Sequence, residues 1–201
     1  MNHLWNGLFG RHEGSTWDFL ILPDGSRVTY AAFLAQAAGF AGALAVAGLR
    51  PGDRVALHLE KSPAMLAVIA GAIRAGVVFL PLNPAYTAAE VSYFIGDAGA
   101  KLLVCDGARE AGLRPVAEAA GAMLHVLNPD GSGSFAGMAG DPGPVVARGR
   151  DDLAALLYTS GTTGRSKGAM LSQGNLLSNA RTLVDAWRFT DRDVLLHALP
   201  I

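Results

Sequence analysis

The sequence predicts an α/β fold in which a largely parallel, buried sheet is flanked by helices. Three observations carry this reading. Strand and helix signals alternate from Thr29 to Leu127. Strand candidates such as Lys101-Leu-Leu-Val-Cys-Asp106 are apolar runs without polar alternation, as expected of strands covered on both faces. Hydrophobic residues fill 51% of the 201 positions and charged residues only 16%, which supports a sizeable core and argues against disorder.

The elements follow in order. Thr29 opens an Ala-rich helix, Tyr30 to Ala47, which stops at Gly48, a residue suited to a left-handed cap. Arg54–Leu59 is a short strand. Ser62 stands as N-cap with Pro63 at the first helical position, and that helix runs to Ala75 before Gly76. Val77–Leu80 is the next strand, closed by Pro81. Thr87-Ala-Ala-Glu90 forms a capping box, in which each side chain satisfies an orphaned backbone N–H, and starts a helix ending near Gly99. Lys101–Cys105 and Met123–Leu127 are strands, with a helix near Ala108–Ala120 between them. Residues 128–150 are rich in turn formers and are read as a long surface connection. Leu153–Tyr158 is a strand, followed by a polar loop, a short strand Ala169–Leu171 and a helix capped by Ser172. The final residues, Asp193 to Ile201, read as a strand entering a domain, so the chain looks interrupted.

Lys+Arg 16 against Asp+Glu 17 leaves a net charge of −1, which gives no electrostatic case for nucleic acid or an anionic membrane. A bound anion must be met locally, by a few aimed donors. The single cysteine, Cys105, excludes an internal disulfide and reads as a buried strand residue in a reducing compartment. The N-terminus lacks the pattern of a signal peptide, and Pro63–Leu82 is too interrupted for a membrane span. A cytoplasmic protein without a membrane span is expected.

The chemistry is concentrated in Tyr158-Thr-Ser-Gly-Thr-Thr-Gly-Arg-Ser-Lys-Gly168. Phosphate oxygens require several N–H and O–H donors converging on one point, with positive charge. Thr159, Ser160, Thr162 and Thr163 supply hydroxyls. Gly161, Gly164 and Gly168 allow positive φ and close backbone approach to a ligand. Lys167 adds a mobile charge that can follow a phosphate tail. An ordinary hairpin turn needs only one or two glycines. Eight specified positions at about 7% each would arise by chance on the order of 10⁻⁹ times per start site. The nucleotide-hydrolase loop G-x-x-x-x-G-K-[ST] does not fit, because Gly168 follows Lys167 and an apolar strand comes where a helix should begin.

The string Thr159–Gly168 resembles the signature of the adenylate-forming superfamily, which includes acyl-CoA synthetases, luciferases and peptide-synthetase adenylation domains. Arg27-Val-Thr-Tyr30, Arg74-Ala-Gly-Val-Val-Phe-Leu-Pro-Leu-Asn83 and Pro84-Ala-Tyr-Thr-Ala-Ala-Glu90 are similar to other family segments in order and spacing, the last to the acyl-CoA ligase branch. Ser166–Ser172, Leu183–Thr190 and His197–Ile201 look most like malonyl-CoA synthetases. The resemblance implies the N-terminal part of the large domain of an adenylate-forming enzyme.

It also implies a two-step reaction that uses ATP, Mg²⁺ and coenzyme A. A carboxylate, malonate or a related acid, attacks the α-phosphorus; the thiol then displaces AMP. Thr159, Ser160, Thr162, Thr163 and Lys167 would contact phosphate, with Gly161 and Gly164 allowing backbone approach. Alternatives are a medium- or long-chain fatty acyl-CoA ligase, an enzyme with another acceptor, and a non-catalytic nucleotide-binding fragment. The family's adenine- and magnesium-binding region and its small C-terminal domain with a catalytic lysine have no counterpart within the 201 residues. Residues 1–201 are therefore expected to be an incomplete N-terminal AMP-binding domain, inactive alone, with no catalytic residue assigned. The family commonly has His where this chain has Gln173.

Other polar candidates read as structural. His58, His125 and His197 lack a second ligand at metal spacing. Asp151-Asp152 reads as solvated, Glu60-Lys61 as a surface pair or nothing, and Trp187 and Phe189 as packing residues.

Overall fold

The computed structural model of the chain describes residues 1–159 and 166–199. Helix α1 (His3–Leu8) opens the chain. Its cap is Asn2, whose Oδ1 accepts from the Trp5 N–H at 3.0 Å while Nδ2 donates to the carbonyls of Ile73 and Val146 at 2.8 and 2.9 Å. An antiparallel ribbon follows, β1 (Asp18–Ile21) with β2 (Arg27–Thr29). Then come α2 (Tyr30–Val46), β3 (Arg54–His58), α3 (Pro63–Ala75), β4 (Val78–Pro81), α4 (Ala88–Ala98), β5 (Leu102–Cys105), α5 (Gly107–Ala119) and β6 (Met123–Val126). The last elements are β7 (Leu153–Thr159), β8 (Lys167–Ser172) and α6 (Gln173–Trp187). Neither α1 nor the ribbon was anticipated from sequence.

Helix starts obey local chemistry. The Ser62 hydroxyl accepts from the Met65 N–H at 3.1 Å, with Pro63 where its missing N–H costs nothing. Thr87 and Glu90 form the expected reciprocal box. Helix α3 stops at Gly76, whose φ of 69° would strain any residue with a side chain.

The six-stranded sheet has the order β6-β5-β3-β4-β7-β8, parallel throughout except for the antiparallel β7–β8 pair. Alternate strand residues feed two cores. Val55 and Leu57 of β3 pack with α2 and α3 on one face, and Ala56 packs with α4 and α5 on the other. At the N-terminal rim, the Arg54 guanidinium donates to the carbonyls of Ala98 and Gly99, each at 2.8 Å, and Lys101 pairs with Asp53 at 2.9 Å.

Two expectations are corrected. Residues 128–150 are not a free surface connection. Phe135 is fully buried and stacks on Phe40 of α2 at 5.5 Å, and the Val146 N–H donates to the Arg74 carbonyl at 2.8 Å. The segment from Asp193 to Leu199 forms no strand among the described residues, and Val194, Leu195, Leu196 and Leu199 are exposed. A strand exists only where a neighbour takes up its N–H and C=O groups, and no described strand lies beside this segment.

Candidate functional site

The polar loop sits at the C-terminal end of β7, a strand that runs parallel to β4. In open α/β sheets ligands gather beyond the carboxyl ends of the strands, where the connecting loops converge. The β7–β8 register places Thr159 opposite Lys167, and Tyr158 opposite Gly168. These are the last pairs before the loop, so the folded chain brings two of the expected phosphate-binding residues together at its mouth. Ser160, Gly161, Thr162, Thr163 and Gly164 lie outside the described residues.

Strand β8 begins at Lys167 itself, two residues earlier than expected, and a strand rather than a helix follows the lysine. Gly168 has a different purpose from the expected one. Its φ is not positive, and a Cβ there would stand 3.1 Å from Cζ of the Tyr158 ring. The glycine accommodates an aromatic ring across the ladder, not a ligand.

The stem leans on α4. Tyr93 donates its hydroxyl to the Ser166 carbonyl at 2.9 Å, and Tyr158 donates to Asp97 Oδ2 at 2.5 Å. The rings of Phe94 and Tyr158 lie 4.6 Å apart, and those of Tyr93 and Tyr158 meet edge-on at 6.3 Å. Burial, reinforced by the hydrogen bond to Asp97, raises the Tyr158 phenol above its usual range, so it stays a donor.

A second cluster lies where strand order reverses, between the ends of β3 and β5. Arg109 pairs with both Asp106 and Glu60, and the Glu60 N–H donates to Asp106 Oδ2 at 3.0 Å. Glu60 therefore pairs across the sheet and not with Lys61, which instead donates to the carbonyls of His197 and Leu199. His58 is buried, with Nε2 3.1 Å from the Asn83 carbonyl. A carbonyl can only accept, so Nε2 carries the proton. Burial, then the nearby Arg109 charge, holds the imidazole below its usual range, and burial raises the Asp106 carboxyl. A cavity of about 220 Å³ lies here, lined by His58, Tyr86, Arg109 and Leu113 among others. Beside it, burial pushes the Cys105 thiol up to about 12.

Three further readings are refined. Asp152 is not merely solvated: its Oδ2 accepts from the Gly149 N–H at 2.6 Å and lies 3.5 Å from Arg148 Nε. Trp187 and Phe189 pack on each other edge-on at 5.7 Å, as expected, but at the surface, with Trp187 exposed. Gln173 is 1% exposed, and its Oε1 accepts from the Leu4 N–H at 2.9 Å, which caps the first turn of α1. No sequence signal points to that contact, because 169 positions separate the partners.

Among the described residues no group of three or more His, Cys, Asp or Glu side chains could hold a metal ion, and no helix is long and apolar enough to cross a membrane.

A model of the family described as AMP-binding enzyme matches residues 12–201. A feruloyl-CoA synthase of Amycolatopsis is 39% identical over 175 residues, which is 87% of this chain and 34% of that protein. The long-chain-fatty-acid–CoA ligase FadD13 of Mycobacterium tuberculosis is 33% identical over 179 residues, 87% of this chain and 35% of that protein. The crystal structure of ATP-bound MatB from Rhodopseudomonas palustris superposes with a TM-score of 0.93 at 48% identity, covering 100% of this chain and 41% of that one. The chain thus spans about a third of the length of the curated relatives it matches.

Proposed function

The chain belongs to the AMP-binding enzyme family, and from that premise we propose that the full-length protein is an ATP-dependent acyl-CoA ligase acting on malonate or a closely related small dicarboxylate. One observation carries the assignment to ATP chemistry: Thr159 and Lys167 are cross-strand partners at the mouth of a Gly/Ser/Thr loop beyond a parallel strand. The likeness of Ser166–Ser172 and Leu183–Thr190 to malonyl-CoA synthetases favours the dicarboxylate. The feruloyl and long-chain names of two relatives favour the second reading, a ligase of larger apolar acids.

In the first step a carboxylate oxygen bonds to the α-phosphorus and the bond to the β-phosphate bridging oxygen breaks, releasing pyrophosphate. Charge grows on the leaving group. Lys167, the hydroxyls of Thr159, Ser160, Thr162 and Thr163, and backbone N–H groups made accessible by Gly161 and Gly164 would neutralise it. In the second step the coenzyme A thiol attacks the acyl carbon, loses its proton and expels AMP. Mg²⁺ bound to the phosphates would share that charge, and no residue here is assigned to it.

Residues 1–201 form an incomplete N-terminal domain in this reading, and the second step needs a C-terminal domain outside them. ATP–pyrophosphate exchange by the full-length protein, with a panel of carboxylates, tests the assignment. Exchange that depends on malonate supports it; exchange with fatty or aromatic acids alone replaces the dicarboxylate; none with any acid removes the function. The 201-residue chain by itself should form no acyl-CoA, and thioester formation by that chain would overturn the domain reading.

A further inference from the structure

The stem of the phosphate loop is tied to α4 at two points, and both ties come from one helix face. Tyr93 and Asp97 are four residues apart, hence stacked one turn above the other. Tyr93 reaches the Ser166 carbonyl at 2.9 Å, and Asp97 receives the Tyr158 hydroxyl from the opposite strand of the hairpin. The Ser166 carbonyl belongs to the peptide unit whose nitrogen is that of Lys167. A peptide is planar, so fixing that oxygen fixes the plane from which the Lys167 Cα departs. On the other side of Lys167, Gly168 is pressed against the Tyr158 ring, which in turn packs on Phe94 of α4. Lys167 itself is exposed, and among the described residues its ammonium meets no carboxylate and no hydrogen-bond acceptor. The point from which its mobile stem departs is therefore set by the backbone on either side, and that backbone is held by α4.

We propose that Tyr93 is a positioning residue for ATP: through the Ser166 carbonyl its hydroxyl aims the Lys167 ammonium at the phosphate tail, with the Tyr158–Asp97 pair bracing the opposite strand. This rests on the reading of the loop as the ATP phosphate site. It adds a residue 73 positions upstream of Ser166 that acts through the backbone. A helix that packs on the parallel sheet thus sets the aim of a loop beyond it.

The test is steady-state ATP–pyrophosphate exchange by the full-length enzyme. Tyr93→Phe keeps the ring packing and removes only the hydroxyl. Loss of the hydrogen bond to the Ser166 carbonyl predicts about a 5-fold rise in the KM for ATP, with the KM for the carboxylate unchanged and the melting temperature lowered by at most a few degrees. A merely structural tyrosine would lower the melting temperature too, but would leave both KM values alone or move them together. The double variant Tyr93→Phe/Lys167→Ala should be no worse than Lys167→Ala alone, because the hydroxyl acts through the lysine. An unchanged ATP KM in Tyr93→Phe, or additive losses in the double variant, overturns the proposal. Should Tyr93→Phe fail to accumulate as folded enzyme, Tyr158→Phe releases the other tie and must give the same split between the two KM values. Absence of exchange in the wild-type enzyme with every acid would instead fail the ATP reading itself, so the two failures are told apart.

Discussion

Replacing Lys167 by Ala in the full-length enzyme isolates the charge at the loop mouth. The side chain is exposed, begins β8, and takes part in no salt bridge among the described residues, so its removal orphans no described partner. Surface truncations of this kind change stability by about 0.5 kcal/mol or less. The β7–β8 ladder, made by backbone groups, survives. In the proposed reading, what is lost is a charge-assisted contact with phosphate, worth about 1.5–3 kcal/mol. At 1.36 kcal/mol per decade, that slows adenylation about 10- to 150-fold. The assay is ATP–pyrophosphate exchange at subsaturating ATP with the preferred carboxylate, alongside thermal melting. Lys167→Arg retains the charge and should recover part of the rate. An unchanged exchange rate in Lys167→Ala would remove the lysine from the site. A slowed rate with a lowered melting temperature would show a structural residue instead.

Stability should depend on pH through His58. Burial and Arg109 hold its pKa below the ordinary 6.5, so near pH 6 the unfolded chain binds more protons than the folded one. Stability is then fully present above 6.5 and is lost as pH falls through the lowered folded value. Asp106, raised by burial, acts in the opposite sense at lower pH. Melting curves between pH 7.5 and pH 5.5 should show the loss, and His58→Gln should flatten it. Phe135→Ala should destabilise the protein by about 3–5 kcal/mol, because the ring is fully buried against Phe40; thermal melting reads this, and a shift near zero would refute the docking of residues 128–150. Cys105, buried with its pKa pushed up to about 12, should resist a thiol reagent such as a disulfide-exchange chromophore in native buffer and react fully in denaturant.

The features that could be read from sequence are those whose chemistry is local. Ser62-Pro63 and Gly76 bracket α3, and Thr87 with Glu90 announces α4, because a cap and its orphaned N–H lie within a few residues of each other. The Gly/Ser/Thr/Lys composition of 159–168 suggests polyphosphate by equally local chemistry, a reading that the ATP–pyrophosphate exchange assay tests. What sequence concealed depends on distant partners. Asn2 is meaningful only beside Ile73 and Val146, Gln173 only beside Leu4, and Phe135 only once α2 is there to receive it. Gly168 is instructive. Counted with the loop glycines it suggests ligand approach, and only the register that places it across from Tyr158 reveals that a ring needs the space. The apolar run from Val194 to Leu199 has strand composition, but composition does not supply a neighbouring strand.

Running β3, β4, β5 and β7 in one direction divides the sheet into two rims with separate duties. The rim at the C-terminal end of β7 carries Thr159 paired with Lys167. The opposite rim is clamped by Arg54 on the carbonyls of Ala98 and Gly99 and by Lys101 on Asp53. Stabilising substitutions placed around that clamp can raise heat tolerance at a distance from the proposed phosphate site, whereas the same effort spent beside Thr159 and Lys167 would, in that reading, trade durability against rate.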